Sequence, residues 1–209
     1  MAIGVALALA PASSAELLDR VVAIVGDEPI TASEVDREVR LQALFSDIEP
    51  DESESAATRA LERLIERRLM QREIALAAFL DLSAEQFENA FRSLQSQRFR
   101  GRTYFEALER YGLTEQDVKD YLREQLTFER YLSFRFQAEP SPDDLEAEYR
   151  RRFGRQASPE APPLEAVQEE LTDAWMARRI ERQLDDRVRE LRALVRIVYL
   201  EPLPPEGPQ

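Results

Sequence analysis

Apolar and polar positions alternate along this chain in two distinct rhythms. Val21-Val22-Ala23-Ile24-Val25 is a β-branched run of strand length, and the Gly26-Asp27-Glu28 that follows supplies turn chemistry before Pro29-Ile30. Elsewhere apolar residues recur at three- and four-residue steps, the signature of amphipathic helices. Thr31 stands three residues ahead of Glu34, a capping-box spacing that opens a helix running to about Phe45, with Val35, Val39 and Leu41 on its buried side. From Thr58 to about Phe79 the positions Leu61, Leu64, Ile65, Leu69 and Ile74 predict a long helix. Ser83 with Gln86 caps the next, whose stripe is Phe87, Ala90, Phe91 and Leu94. Thr103 with Glu106 caps a short helix carrying Phe105 and Leu108, with Gly112 just past its end, where a left-handed residue is favoured. Thr114 with Asp117 starts another through Val118, Tyr121, Leu122, Leu126, Phe128, Tyr131 and Leu132.

Ser141-Pro142-Asp143-Asp144 is a further helix start, with proline at the first helical position, and that helix should end near Gly154. Residues 155–163, with Pro159, Pro162 and Pro163, read as a connection. A last helix follows from about Leu164 to Leu194 through Val167, Leu171, Trp175, Ile180, Leu184, Val188 and Leu191, and Val195 to Leu200 reads as a second strand. These two β-branched segments stand near opposite ends of the chain. A lone buried strand leaves its N–H and C=O groups without partners, so the two are expected to pair and close a mainly α-helical array.

The segment from Asp47 to Ala57 holds five acids, Asp47, Glu49, Asp51, Glu52 and Glu54, with Pro50, serines and no apolar period. It reads as a solvated loop, with an acidic docking segment as the functional alternative. Residues 201–209 form a proline-rich tail expected to be disordered. At the other end, Ile3 to Ala10 is an uncharged apolar run followed by Pro11 and Ser13-Ser14-Ala15, which resembles a secretory signal peptide cleaved after Ala15, although without a basic n-region. It falls short of the roughly 20 apolar residues that span a bilayer. The competing reading is an Ala-rich start of a cytosolic protein.

Composition narrows the chemistry. In 209 residues there is no cysteine and no histidine, which excludes disulfides, thiol nucleophiles, His/Cys zinc sites and histidine acid–base catalysis. A formal net charge of −13 and a single lysine, Lys119, among scattered arginines set a repulsive field against phosphate backbones and anionic lipid, so no nucleic acid is expected as partner. With six glycines and no phosphate-binding glycine loop, no nucleotide cofactor is expected either. Carboxylate pairs at helical spacing arise by chance in a chain with 41 acids and do not single out a catalytic dyad.

The segment Leu18 to Thr31 running into Ser33-Glu34-Val35 resembles the opening strand, turn and first helix of the SurA/PrsA family of periplasmic chaperones. Leu64-Ile65-Glu66-Arg67-Arg68-Leu69 is similar to that family's second helix. Phe105 through Gly112-Leu113-Thr114, and Leu126 to Arg135, are similar to its later helices. Leu191 to Tyr199 resembles the closing helix and strand. The resemblance covers about residues 18–200 and implies a single SurA N-terminal-like helical domain over residues 16–200. Two features depart from it. Only residues 154–163 stand where relatives carry a parvulin isomerase domain, and the paired histidines of that domain are absent; Ala77-Ala78-Phe79-Leu80-Asp81 also replaces the glycine that ends the second helix in relatives.

The resemblance implies an ATP-independent holdase in the periplasm or otherwise exported, without cofactor, metal or catalytic residue, that binds unfolded exported or outer-membrane polypeptides and does not insert stably in the membrane. A single-partner assembly subunit of the envelope remains the alternative, and prolyl isomerase activity a third reading against which the missing domain speaks. Long helices on short linkers also permit a homodimer made by exchanging terminal elements. The candidate client-binding side chains are Phe99, Tyr104, Tyr121, Phe128, Tyr131, Phe134 and Phe136, since the helix ending near Phe136 holds more aromatics than one stripe can bury. The competing reading of each is core.

Overall fold

The computed structural model describes residues 19–75, 82–154 and 161–200. The expected signal peptide, the corner at residues 77–81, most of the 155–163 connection and the tail after Leu200 lie outside them. Two strands, β1 (Val21–Val25) and β2 (Glu28–Thr31), open the chain. Six helices follow: α1 (Ala32–Phe45), α2 (Glu54–Ala75), α3 (Ala84–Ser96), α4 (Tyr104–Tyr111), α5 (Glu115–Arg135) and α6 (Pro142–Phe153). A single 3₁₀ turn (Leu164–Val167) leads into the long α7 (Gln168–Leu194), and β3 (Ile197–Tyr199) ends the described chain.

The two terminal strands do pair, antiparallel, with Ala23 opposite Tyr199 and Val25 opposite Ile197. Flanking bonds from Gly26 N to the Arg196 carbonyl (2.8 Å) and from Leu200 N to the Val22 carbonyl (2.9 Å) extend the ladder. The sheet has a third member that the sequence reading passed over: β2 pairs with the other edge of β1, giving the order β2-β1-β3. Pro29 masks it, because proline cannot donate to a ladder; on an edge strand its missing N–H is tolerated. Gly26, at φ +67°, occupies the first position of the two-residue loop between β1 and β2, and the Arg72 guanidinium lies over it, so a Cβ there would be 2.7 Å from the arginine nitrogens.

All five helix starts read from local spacing are present. Thr31, Ser83, Thr103, Thr114 and Ser141 each form a reciprocal capping box, and Gly112 ends α4 in the left-handed conformation. Helix α2 begins four residues before the expected Thr58. Ser53 caps it, its hydroxyl accepting from the Ala56 amide (3.2 Å), and Ala56 and Ala60 are buried. The last part of the acidic segment is therefore helix.

Three clusters make the core. The first joins the C-terminal half of α1 to α3, α4 and the start of α5, around Leu44, Phe91, Tyr104 and Val118. The second packs β1 and β2 on α1 and α2, around Val25, Ile30, Ile65 and Leu69, with Leu191, Val195 and Ile197 from the far end of the chain against it. The third, Met70, Tyr131 and Phe136, is covered by Ile180, Leu184 and Val188 of α7. Polar contacts fix α7 along α2: Arg192 reaches Glu62 (2.7 Å) and Glu66 (3.2 Å), and Arg187 reaches Glu73 (2.5 Å).

Candidate functional site

The floor of one large cleft is the outer skin of the second core cluster. Val22 of β1, Ala32, Val35 and Val39 of α1, and Ala57 and Leu61 of α2 line it. Opposite stand the segment Glu49–Ser53 and the C-terminal end of α4, and the enclosed space is about 1290 Å³. The wall segment is fixed at several points. The Ile48 amide donates to the Ala43 carbonyl (3.0 Å), the Tyr111 hydroxyl donates to the Ile48 carbonyl (2.6 Å), and Glu49 pairs with Arg110 (2.9 Å) and Arg100 (3.5 Å). The Arg40 guanidinium donates to the Gly112 carbonyl (2.9 Å), joining α1 to the end of α4. The stretch expected as a solvated loop is an exposed loop up to Ser53, and it is fixed as a wall against α4.

Carboxylates crowd the rim: Asp36, Glu49, Asp51, Glu52, Glu54 and Glu109, against Arg20, Arg40 and Arg110. None of these guanidinia is free, and Arg40 pairs with Asp36 (2.9 Å) and Arg110 with Glu49 (2.9 Å). Among the described residues Glu52, Glu54 and Glu109 have no ion-pair partner. Hydrogen bonds from the Ser53 hydroxyl and amide hold the Asp51 carboxyl below its ordinary pKa, so it stays charged well into acid. The cleft thus combines an apolar floor with a negative rim.

Of the seven aromatics singled out from the sequence, Phe99, Tyr104, Tyr121, Tyr131 and Phe136 are buried, Phe128 is half-buried and Phe134 is 54% exposed. The surplus on α5 has a structural cause. The first half of that helix packs through Val118, Tyr121 and Leu122 on the first cluster, while Tyr131 and the following Phe136 pack on the third, with Phe128 and Leu132 against them. Aromatics pointing in several directions are taken up by two different neighbours, and Phe134 alone among the seven is left outward. Tyr121 is held further by the Gln42 amide, which donates to its hydroxyl (2.6 Å), and by the Arg67 guanidinium 5.1 Å from its ring centre. Burial, reinforced by the nearby Glu38, raises the Tyr121 phenol pKa. Of the two apolar residues read on α4, Leu108 is buried and Phe105 is 63% exposed; the buried face is Tyr104, Ala107, Leu108 and Tyr111.

Glu38 is 1% exposed, yet its charge is matched by Arg67 (2.9 Å) and Arg63 (3.3 Å) while Gln42 donates to it (3.2 Å). That arrangement ties α1 to α2 beside a small cavity of about 160 Å³, where the Glu38 carboxylate is already matched by guanidinia. Among the described residues no group of side chains is arranged to hold a metal ion, and no helix is long and apolar enough to cross a membrane.

Residues 2–132 match the model of the SurA-like N-terminal domain. The chain belongs to that family. A solved chain similar to it comes from work on two structurally related SurA-like chaperones of Campylobacter jejuni, the virulence factor PEB4 and the periplasmic protein Cj1289. The identity is 14%, the TM-score is 0.46, and the match covers 88% of this chain and 100% of that one. Comparison with curated proteins found no match. The family match takes in β1 through most of α5, and with them every residue that lines the cleft. It stops short of α6 and of α7 and β3, the last two of which cover the third cluster and complete the sheet.

Proposed function

We propose that this SurA-like protein is an ATP-independent holdase of the bacterial envelope that shields unfolded segments of exported or outer-membrane proteins and has no isomerase activity. The observation that carries the reading is the cleft on a family scaffold, whose apolar floor exposes parts of Ala32, Val39 and Ala57 over the buried Val22, Val35 and Leu61. Its volume of about 1290 Å³ exceeds the roughly 300–1,000 Å³ usual for small-molecule sites, which suits a length of polypeptide. Phe134 supplies a second apolar contact away from the cleft. The absence of isomerase activity is supported by the ten residues, 154–163, that separate α6 from the 3₁₀ turn, too few for an inserted catalytic domain.

The test is suppression of aggregation of several unrelated denatured proteins. The protein should act at stoichiometric amounts, without nucleotide. Phe134→Ser should weaken suppression about fivefold, since an aromatic buried on a client contributes roughly 1.5–3 kcal/mol and half of this ring is already covered. Its melting temperature should fall by no more than a few degrees, since the covered half of the ring contributes about 1 kcal/mol to the fold. Proline-limited refolding, whose uncatalysed phase takes tens to hundreds of seconds, should not be accelerated. Suppression confined to one ligand would favour the single-partner assembly subunit, and suppression of none would remove the chaperone reading.

A further inference from the structure

The cleft has more structure than a greasy surface needs. Shielding apolar segments in general requires only an apolar floor, whereas here one rim is built of carboxylates and held rigid by Tyr111, Arg110 and Arg100. Within that rim Glu52, Glu54 and Glu109 are exposed and, among the described residues, form no ion pair with the rim guanidinia of Arg20, Arg40 and Arg110. Arg40 and Arg110, which could have neutralised them, are drawn to Asp36, to the Gly112 carbonyl and to Glu49.

We infer that the cleft selects polypeptide segments in which apolar side chains adjoin lysine or arginine, the apolar groups seating on Val39, Ala57 and their neighbours and the cations on Glu52, Glu54 and Glu109. This deepens the chaperone reading and rests on it. The charge pattern argues for such a partner on three counts. An acidic segment would meet like charges on the rim. A neutral apolar segment would leave three carboxylates partly desolvated with nothing opposite, which costs free energy. A basic-apolar segment satisfies floor and rim together, and a negative, low-dielectric concavity also concentrates cations before contact. Two contributions with different salt response follow. The floor acts at any ionic strength; the rim is screened as the Debye length falls from about 10 Å at 0.1 M to about 3 Å at 1 M.

The experiment uses two fluorescein-labelled peptides with the same apolar residues, one carrying lysine and the other glutamate at the intervening positions, titrated by anisotropy. Three exposed pairs of ordinary strength amount to roughly a tenfold preference for the lysine peptide at low salt, vanishing near 1 M. Because the whole chain carries −13, a generic attraction must be separated from the cleft. The variant Glu52→Gln/Glu54→Gln/Glu109→Gln should lose the preference. A control, Glu85→Gln/Glu88→Gln/Glu181→Gln, removes the same charge from exposed sites on α3 and α7 and should keep it. All six positions are exposed, so both variants should fold, and equal melting temperatures would verify that. Equal loss in both variants, or retention in both, would overturn the assignment. So would a rim variant whose own sedimentation changed, which would place a second copy of this chain in the cleft. If the wild type suppresses aggregation but shows no charge preference, the inference fails and the chaperone reading stands; if it does neither, both fail.

Discussion

Tyr104 is 1% exposed, with Phe91 edge-on at 6.0 Å and Phe99 at 6.4 Å, and its hydroxyl has no hydrogen-bond partner among the described residues. A buried hydroxyl left in this way costs about 1–3 kcal/mol. Burial, with a smaller contribution from Glu115, pushes the phenol up to about 12. Tyr104→Phe keeps the ring contacts and removes the liability, so the melting temperature should stay the same or rise by a few degrees, at about 2–4 °C per kcal/mol for a chain of this size. The pH response has a definite sign. The fold favours the neutral phenol, so this contribution is intact below the unfolded value near 10 and is lost as pH climbs toward 12. Wild type should therefore lose stability over that window more steeply than the variant. Tyr131, also pushed up to about 12 by burial and then by its bond to Glu73 (2.9 Å), behaves the same way in alkali, but its hydroxyl is satisfied, so Tyr131→Phe should destabilise. A fall of several degrees on Tyr104→Phe would mean that the hydroxyl has a partner after all.

Five capping boxes punctuate the helices, and the acids of three, Asp144, Glu106 and Asp117, carry a shared pH signature. Asp144 is held below its ordinary range by the Ser141 hydroxyl and amide, and Glu106 by the Thr103 amide and hydroxyl. For Asp117 burial pulls upward but is outweighed by the Thr114 hydroxyl and amide and by Arg37. Lowered carboxylates contribute stability that is present above the ordinary value near 4 and disappears as pH falls through their folded values. Ser141→Ala or Thr114→Ala should each cost about 1 kcal/mol in urea titrations at neutral pH and much less at pH 2–3; an equal loss at both would detach the effect from the carboxylate partner. These caps were legible because a capping box is written in four consecutive residues. Other features were hidden for physical reasons. Ser53 caps α2 with Ala56, not a glutamate or glutamine, at the third position, and Pro29 disguises an edge strand. The division of α5 between two cores, which decides which aromatics are buried, depends on where α7 returns, and no local pattern encodes that. The cleft was out of reach for the same reason: its acidic wall was visible as composition, its floor only once β1, α1 and α2 had come together.

The returning α7 and β3 strap the molecule along one side, from the third cluster to the sheet. Removing everything after Leu194 takes away β3 with the flanking bonds at Gly26 and Leu200, and with it the Val195 and Ile197 contacts on the second cluster. At about 1 kcal/mol for each lost backbone bond, and more for the apolar burial, the truncated chain should melt on the order of 10 °C lower and less cooperatively; an unchanged curve would show that the strap carries no stability. The cleft floor shares Val22 with β1, so client binding should weaken in the same variant. The position of β3 also governs the order of assembly. The central strand β1 is among the first described parts of the chain to be synthesised, and its second neighbour is the last, so the sheet closes a loop that holds all seven helices, a contact that local folding cannot reward early. Until synthesis reaches Tyr199, one edge of β1 stays open and the skin of the second cluster stays loose. A nascent molecule of this protein therefore carries, for that interval, an uncovered strand edge and loose apolar surface of its own.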